Sequence, residues 1–278
     1  MASRSLEING AELSFIEAGA GPPVVLVNGL LADRRSWRRQ IEALSHKFRV
    51  LALSPRYYRP NKWPDDGAGF TVATFVADLA ALLRKLDLTS VHLLGHSFGG
   101  AVVSQFAVQY PNFVRSLVLA EPGVASIALD DPAMVAAVTE FGENRKTIFH
   151  EWQSGSREKA VEKLLLYIFG SKAVGRIGEE HLNILHENAD VIGAAFRPRP
   201  LPPPFTLEHA RSLSMPVLVI EGATSKPMFR IACERLENCL PNVQRVILPD
   251  TSHALCLESP DAFNDAALLF LNGLTALR

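Results

Sequence analysis

The segment VHLLGHSFGGAVVSQFA, residues 91–107, decides how the rest of the chain is interpreted. It places Ser97 between Gly95 and Gly99, directly after a short apolar run and directly before a helical pattern. A residue that ends a strand and starts a helix within a few positions takes strained backbone angles, and the close packing leaves no room for Cβ atoms two positions to either side. The pattern G-x-S-x-G therefore predicts a sharp turn that exposes the Ser97 hydroxyl at the carboxyl end of a sheet. The alternative is a glycine-rich turn with an incidental serine.

Short apolar runs, each ending in turn residues, alternate with helical patterns along the chain. This alternation predicts an α/β fold with a mostly parallel central sheet and helices on both of its faces. The clearest helical pattern lies behind Thr71, a candidate N-cap, and repeats apolar residues every three or four positions from Val72 to Leu86. The predicted strands are PVVLVNG (23–29), FRVLALS (48–54), VHLLGHS (91–97), VRSLVLAE (114–121), PVLVIEG (216–222) and VQRVILPD (243–250).

Residues 123–212 contain helical patterns and no convincing strand. We predict that residues 1–122 and 213–278 form one core and that 123–212 is a helical cap, with the proline-rich RPRPLPPP (197–204) as its stiff return linker. The cap has more apolar side chains than a segment facing only solvent would carry, which favours a medium-sized, largely apolar small-molecule substrate. These are Phe141, Phe149, Trp152, Leu165, Tyr167, Ile168 and Phe169.

Composition and charge indicate which classes of molecule the protein binds. The chain has 278 residues, 48% of them hydrophobic, and its 28 basic and 29 acidic side chains give a formal net charge of −1. This balance argues against a nucleic-acid or membrane partner, and we predict a monomer or homodimer that binds a small molecule. No run approaches the roughly 18 apolar residues of a membrane span, and MASRSLEINGAELSF lacks the features of a signal peptide, so we expect a cytoplasmic protein.

The three cysteines predict no metal site. Cys233, Cys239 and Cys256 lack metal-ligand spacing, and no histidine lies at a ligand offset from them. We expect free, mostly buried thiols and neither a metal nor an organic cofactor.

A serine hydroxyl needs a base before it can act as a nucleophile. His253, in LPDTSHALCLESP, follows the last predicted strand and precedes the final helix. His92 lies inside a strand, His96 lies within the turn, and the remaining histidines lie in helical or linker segments. His253 is therefore the candidate base.

These motifs together resemble the α/β-hydrolase superfamily over the whole chain. SHALCLESP is similar to the common pattern G-H-x-x-x-x-E-x-P, with Ser252 in place of the glycine. The resemblance implies a capped serine esterase or lactonase-like member. The resemblance also implies that an oxyanion would be held by the backbone N–H of Phe98 and by that of Leu30, which follows Asn28 and Gly29 where most relatives read H-G.

In such enzymes an acidic residue orients the histidine, and its position in this chain departs from the common family pattern. Most members carry an aspartate three residues after the glycine that ends the strand before the histidine loop, where this chain has Ser225. Glu121 ends the strand after the Ser97 strand, a position that some members, including certain lactonases, use for the acid. Glu221 is the rival, and the absence of any working acid is the third alternative. The resemblance favours Glu121.

A second departure lies in the loop LSPRYYRPNKWP, where relatives usually carry an aspartate and a glycine-rich turn. We expect a solvated loop here. The alternative is that Arg56, Tyr57 or Tyr58 projects into the pocket, which would favour a substrate with an oxygen-rich or acidic group.

The predicted function is hydrolysis of an ester or lactone bond. Ser97 would attack the carbonyl, His253 would act as base and then acid, and Glu121 would orient His253. Two other classes stay open. One is a C–C bond hydrolase, cofactor-free oxygenase or cyclase on the same fold, and the other is a binding or signalling protein with slow turnover or none.

Overall fold

The computed structural model describes residues 1–199 and 203–275. Within these ranges eight strands form one sheet, in the order β1-β2-β4-β3-β5-β6-β7-β8. The pairing of β3 with β4 and every pairing from β3 through β8 is parallel, and only β1 and β2 run antiparallel to their neighbours. The strands are β1 (Ala2–Ile8), β2 (Ala11–Ala18), β3 (Pro23–Val27), β4 (Arg49–Ser54), β5 (Val91–His96), β6 (Val114–Ala120), β7 (Val217–Gly222) and β8 (Val243–Leu248).

Helices cover both faces of the sheet, because both faces of the inner strands are apolar. Alternate residues of β3 enter two separate buried clusters, Val25 and Val27 on one face and Val24 and Leu26 on the other. The described helices are α1 (Arg38–Leu44), α2 (Val72–Lys85), α3 (Phe98–Gln109), α4 (Pro132–Gln153), α5 (Arg157–Phe169), α6 (Ser171–Val174), α7 (Glu179–Glu187), α8 (Asp190–Phe196), α9 (Leu207–Ser212), α10 (Pro227–Cys239), α11 (Leu255–Glu258) and α12 (Pro260–Thr275).

The predicted α/β class and the six predicted strands are confirmed, and the Thr71 side chain caps α2 by accepting a hydrogen bond from the Thr74 N–H at 3.1 Å. The β1–β2 hairpin was not predicted. Its turn is Asn9-Gly10, and both residues have positive φ. Asn-Gly between two alternating stretches is a strong hairpin signal, so the sequence contained the information.

The predicted cap segment supplies the helices between β6 and β7. From 123 to 199 and from 203 to 212 the described residues contain α4–α9 and no strand. Asn188, buried after α7, joins this segment to the rest of the chain: its side chain donates to Asp33 Oδ2 at 3.0 Å and accepts from the Arg59 N–H at 2.8 Å. Residues 200–202 of the predicted proline-rich linker, like 276–278 of the predicted core, lie outside the described residues.

The expectation of a solvated loop after β4 is wrong for residues 56–58. Arg56, Tyr57 and Tyr58 are buried. The Arg56 guanidinium donates to the Asp78 carboxylate at 2.5 and 2.6 Å, which neutralises its charge away from water. Burial, together with a hydrogen bond to Asp65, raises the pKa of Tyr57 to about 12. The loop is therefore part of the apolar packing.

The three cysteines are free, as predicted. Cys233 and Cys256 are buried and Cys239 is half-buried. Among the described residues, no helix has the length and apolar character needed to cross a membrane.

Gly99 permits the close packing of α3 against β3. A Cβ atom at this position would lie 2.2 Å from the Val27 carbonyl oxygen and 2.5 Å from that of Asn28. Because both atoms belong to the backbone, they cannot move aside without displacing the strand. The glycine two positions after Ser97 is therefore a steric requirement of the fold.

We expect Gly99→Ala to lower the free energy of unfolding by about 1–3 kcal/mol, the usual cost of overpacking a well-packed interior. Gly142→Ala is the matched control, because a Cβ atom at Gly142 in α4 would meet nothing within 4 Å. That change should raise stability by about 0.5–1 kcal/mol, since alanine is the better helix former. Urea unfolding measures both values, and equal midpoints for Gly99→Ala and the unmodified protein would contradict the steric argument.

Candidate active site

Ser97 occupies the junction between β5 and α3. Its backbone angles are φ 52° and ψ −116°, a strained conformation for a residue other than glycine. The Ser97 N–H donates to the Ala120 carbonyl on β6 at 3.0 Å, and its carbonyl accepts from the Gly123 N–H at 2.8 Å. These bonds from the neighbouring strand end hold the turn so that the side chain stands at the carboxyl edge of the sheet.

His253 lies on the loop between β8 and α11, and this loop is held from two sides. Glu258 Oε2 accepts from the Ser252 N–H at 2.7 Å and from the Ser252 hydroxyl at 2.5 Å. His96 Nε2 donates to the His253 backbone carbonyl at 2.9 Å. A carbonyl oxygen can only accept, so the His96 proton is on Nε2. The turn that carries Ser97 is thus directly bonded to the loop that carries His253.

The structure brings Ser97, His253 and Glu121 into one hydrogen-bonded row. Ser97 Oγ lies 2.9 Å from His253 Nε2, and His253 Nδ1 lies 2.5 Å from Glu121 Oε2. Because a carboxylate can only accept, Nδ1 carries the proton and donates to Glu121. Nε2 then has a free lone pair directed at the Ser97 hydroxyl, which is the arrangement that a general base requires.

Glu121 and Glu221 have different partners. Glu121, fully buried just beyond β6, accepts from His253 through Oε2 and from the Gly222 N–H at 2.7 Å through Oε1. Glu221 lies within β7, and its Oε2 accepts from Arg245 Nη2 at 2.8 Å and Nε at 3.1 Å. Arg230 is a further ion-pair partner of Glu221 at 3.5 Å. Glu221 is therefore neutralised by arginines rather than bound to His253.

Burial shifts the pKa values of Glu121 and His253 in opposite directions. It raises the pKa of Glu121 to about 7, against the opposing effect of the Ser225 hydroxyl and the Gly222 N–H. It lowers the pKa of His253, because an imidazolium would lose its hydration in this site. The two groups share one hydrogen bond and titrate as a coupled pair. At pH values above this titration, His253 is neutral and Glu121 is ionised.

The loop after β3 approaches Ser97 closely, at the position predicted for the oxyanion hole. A Cβ atom on Gly29 would lie 2.9 Å from His96 Nδ1 and 3.2 Å from the Ser97 Cβ, so only glycine fits there. The Asn28 amide donates to the carbonyl oxygens of Gly29, at 3.3 Å, and Ala32. The Asn28 side chain thereby stabilises the loop that carries Leu30. Phe98 is the first residue of α3, and its N–H is at the positive end of that helix.

Apolar side chains close the site around His253. The Phe229 ring stacks on the imidazole with ring centroids 3.6 Å apart, and the Phe169 ring lies at 6.1 Å. Sequence reasoning missed Phe229, since nothing in α10 distinguishes it from an ordinary core residue. A small, mostly apolar cavity borders the Gly29 loop and His96, and is lined by Asn28, Gly29, Leu30, Ala32, Ser36, Trp37, His96, Phe169, Leu185, Ala254, Cys256 and Leu257.

Across residues 1–199 and 203–275, no cluster of three or more His, Cys, Asp or Glu side chains is arranged to hold a metal ion. The side chains that meet at Ser97, His253 and Glu121 are a hydroxyl, an imidazole and a carboxylate.

Known proteins are similar to this chain in sequence and in fold. The chain is 37% identical over 131 residues to 2-hydroxy-6-oxo-2,4-heptadienoate hydrolase of Pseudomonas putida, which is 46% of this chain and 47% of that enzyme. It is 36% identical over 109 residues to bifunctional epoxide hydrolase 2 of Sus scrofa, 39% of this chain and 20% of that enzyme. The chain thus spans less than half the length of these curated relatives. An enol-lactonase from Burkholderia xenovorans superimposes with a TM-score of 0.79 at 20% identity, over 97% of this chain and 100% of the lactonase.

The family model for the alpha/beta hydrolase fold matches residues 22–260, which include Ser97, Glu121 and His253. The protein belongs to the alpha/beta hydrolase fold family.

Proposed function

We propose that the protein is a serine hydrolase that cleaves an ester or lactone bond in a medium-sized, largely apolar small molecule. The observation that carries the proposal is the row Ser97–His253–Glu121, with contacts of 2.9 and 2.5 Å. A hydroxyl within reach of a neutral imidazole, whose other nitrogen donates to a buried carboxylate, is the arrangement that activates a serine nucleophile.

The reaction begins with transfer of the Ser97 hydroxyl proton to His253 Nε2 while Oγ attacks the carbonyl carbon. The positive charge on the imidazolium is stabilised by Glu121, and the negative oxygen accepts from the N–H groups of Leu30 and Phe98. His253 then gives its proton to the departing alcohol oxygen, leaving an ester on Ser97. A water molecule, deprotonated by His253, hydrolyses that ester and restores the free enzyme.

The surroundings of the row support an apolar substrate covered by a cap. Phe169 of α5 and Leu185 of α7 both belong to the predicted cap segment, and both line the cavity that borders Leu30 and His96. Arg56 is bound to Asp78, so its charge is already satisfied by a residue of the same chain. An acidic substrate group therefore has no support from Arg56.

A C–C bond hydrolase is the second candidate, because the chain is similar to 2-hydroxy-6-oxo-2,4-heptadienoate hydrolase over 131 residues. In this chain either reaction would use Ser97 and His253, and the two would differ in the bond that is broken. A panel of p-nitrophenyl esters of rising chain length, lactones and 2-hydroxy-6-oxo-2,4-heptadienoate distinguishes them by the product formed. Labelling of Ser97 by a fluorophosphonate without turnover of any substrate would instead support a binding protein.

Ser97→Ala should abolish turnover and leave the protein folded. Ser97 Oγ contributes the attacking atom, and its contact with His253 Nε2 is the hydrogen bond that the change removes. We expect kcat to fall by about 10³-fold or more. Circular dichroism and the melting temperature should match those of the unmodified protein, and a loss of activity caused by unfolding would contradict this division of roles.

Glu121→Gln should lower kcat by roughly 10² to 10⁴-fold, because the amide keeps the size of the side chain but loses the charge that stabilises the imidazolium. The matched control is Glu221→Gln, which alters a carboxylate bound to Arg245 and should affect kcat mildly. Adding Ser225→Asp to Glu121→Gln should restore part of the activity, since it returns an acid to the position that most relatives use. The assignment would be wrong if Glu221→Gln were the damaging change and Glu121→Gln were silent.

The activity should rise with pH through a macroscopic midpoint near 7, the pKa to which burial raises Glu121. Below the midpoint the pair holds one extra proton, either on Glu121 or on His253. In the first case the imidazole proton shifts to Nε2, and in the second the ring is an imidazolium, so neither state can accept the Ser97 proton. A pH profile of kcat/KM tests this, and a flat profile from pH 5 to 9 with chemistry limiting the rate would count against it.

A further inference from the structure

The ring of His253 is covered on one face by Phe229. The two ring centroids are 3.6 Å apart and the ring planes differ by 11°. Phe229 lies on α10 and is 5% exposed. His96, at 4.7 Å, and Phe169, at 6.1 Å, approach the same imidazole at larger angles of 39° and 37°.

We propose that Phe229 is a positioning residue for the reaction: it fixes the plane of the His253 imidazole by face-to-face contact and keeps water away from it. This inference rests on the proposed function, because it concerns the base of the same row. Phe229 acts through His253 and is not itself placed among the reacting atoms.

The geometry of the row explains why the ring plane matters. The hydrogen bonds to Ser97 and Glu121 align the imidazole, but by themselves they leave it some freedom to rotate about its Cβ–Cγ bond, a rotation that swings Nδ1 and Nε2 out of line with their partners. A flat ring at 3.6 Å removes that freedom, because any tilt of the imidazole brings it into steric contact with Phe229. A branched aliphatic side chain would fill the space but would leave the tilt less restricted.

The same contact contributes to the burial of the His253 imidazole from solvent. Phe229 covers one face of the imidazole, and burial lowers the pKa of His253. Other groups also act on this pair. Besides Glu121 and the Ser97 hydroxyl, the titratable or charged groups that act on it among the described residues are His96 at the end of β5, Glu221 on β7, Arg230 and Cys233 on α10, and Cys256 on α11.

The test compares Phe229→Leu with Phe263→Leu. Phe263 is fully buried on α12, within the cluster on the opposite face of the sheet, and packs near Trp37. The two substitutions remove the same atoms from a buried phenylalanine, so they match in volume lost. Phe229→Met, which preserves more of the volume but has no flat face, serves the same purpose if Phe229→Leu does not fold.

Two measurements are made on the full chain. The first is kcat and KM with the best substrate of the ester panel. The second is the pKa of His253 from the NMR titration of its Cε1 proton, assigned by the signal that His253→Gln removes. This titration is performed in the Glu121→Gln background, where the carboxylate no longer shares the proton. It needs no activity, so it remains informative if the proposed function fails.

We expect Phe229→Leu to lower kcat by about 10 to 100-fold with little change in KM, as for a misplaced catalytic group. In the Glu121→Gln background the pKa of His253 should rise toward its ordinary value of about 6.5 as water reaches the ring. Phe263→Leu should leave both quantities unchanged. An unchanged pKa, an unchanged kcat, or an equal loss of kcat in Phe263→Leu would overturn the proposal. Ser97→Ala with full activity would instead overturn the proposed function and leave the NMR result to decide the role of Phe229 toward His253.

Discussion

The parallel pairing of β5 with β6 is the constraint on which the site depends. Ser97 donates its N–H to the Ala120 carbonyl, so Ser97 and Glu121 start from adjacent strand ends at the same level of the sheet. His253 needs only to reach the space above these two ends to contact both side chains. The glutamate, one methylene longer than an aspartate, spans this distance from β6, and no acidic side chain from the turn after β7 is needed to contact the ring.

A buried carboxylate is costly unless hydrogen bonds replace its hydration. Within the described part of the chain, Glu121 receives two such bonds, one from the Gly222 N–H and one from His253, and no guanidinium binds it directly. Glu221, one strand further along the sheet, is bound by Arg245. A carboxylate neutralised by a bound guanidinium loses its attraction for an imidazolium. The two glutamates therefore differ chemically because they have different partners: Glu121 binds His253, whereas Glu221 binds Arg245.

Separate contacts restrain the loop, the backbone and the side chain of His253. Glu258 and Ser252 fix the loop, His96 binds the backbone carbonyl, and Phe229 contacts the ring. Each of these contacts has a modest net energy, about 1 kcal/mol for an ordinary hydrogen bond. Acting together on one short segment, they restrict the loop, the peptide and the side chain in turn. In the proposed reaction, a base restricted in this way would lose little entropy when it accepts the Ser97 proton.

The sequence alone determined the fold class, six of the eight strands and the turn around Ser97, because these depend on local patterns: apolar runs, turn residues and glycines that leave space beside a strand. It also singled out His253 by its place after the last strand. The Asn9-Gly10 hairpin was readable from the sequence and was not predicted. Only the tertiary structure showed that residues 56–58 are buried, that Glu121 contacts His253 while Glu221 contacts Arg245, and that Phe229 covers the imidazole. These facts depend on side-chain directions and on contacts between separate segments of the chain, which tertiary packing decides and no local pattern encodes.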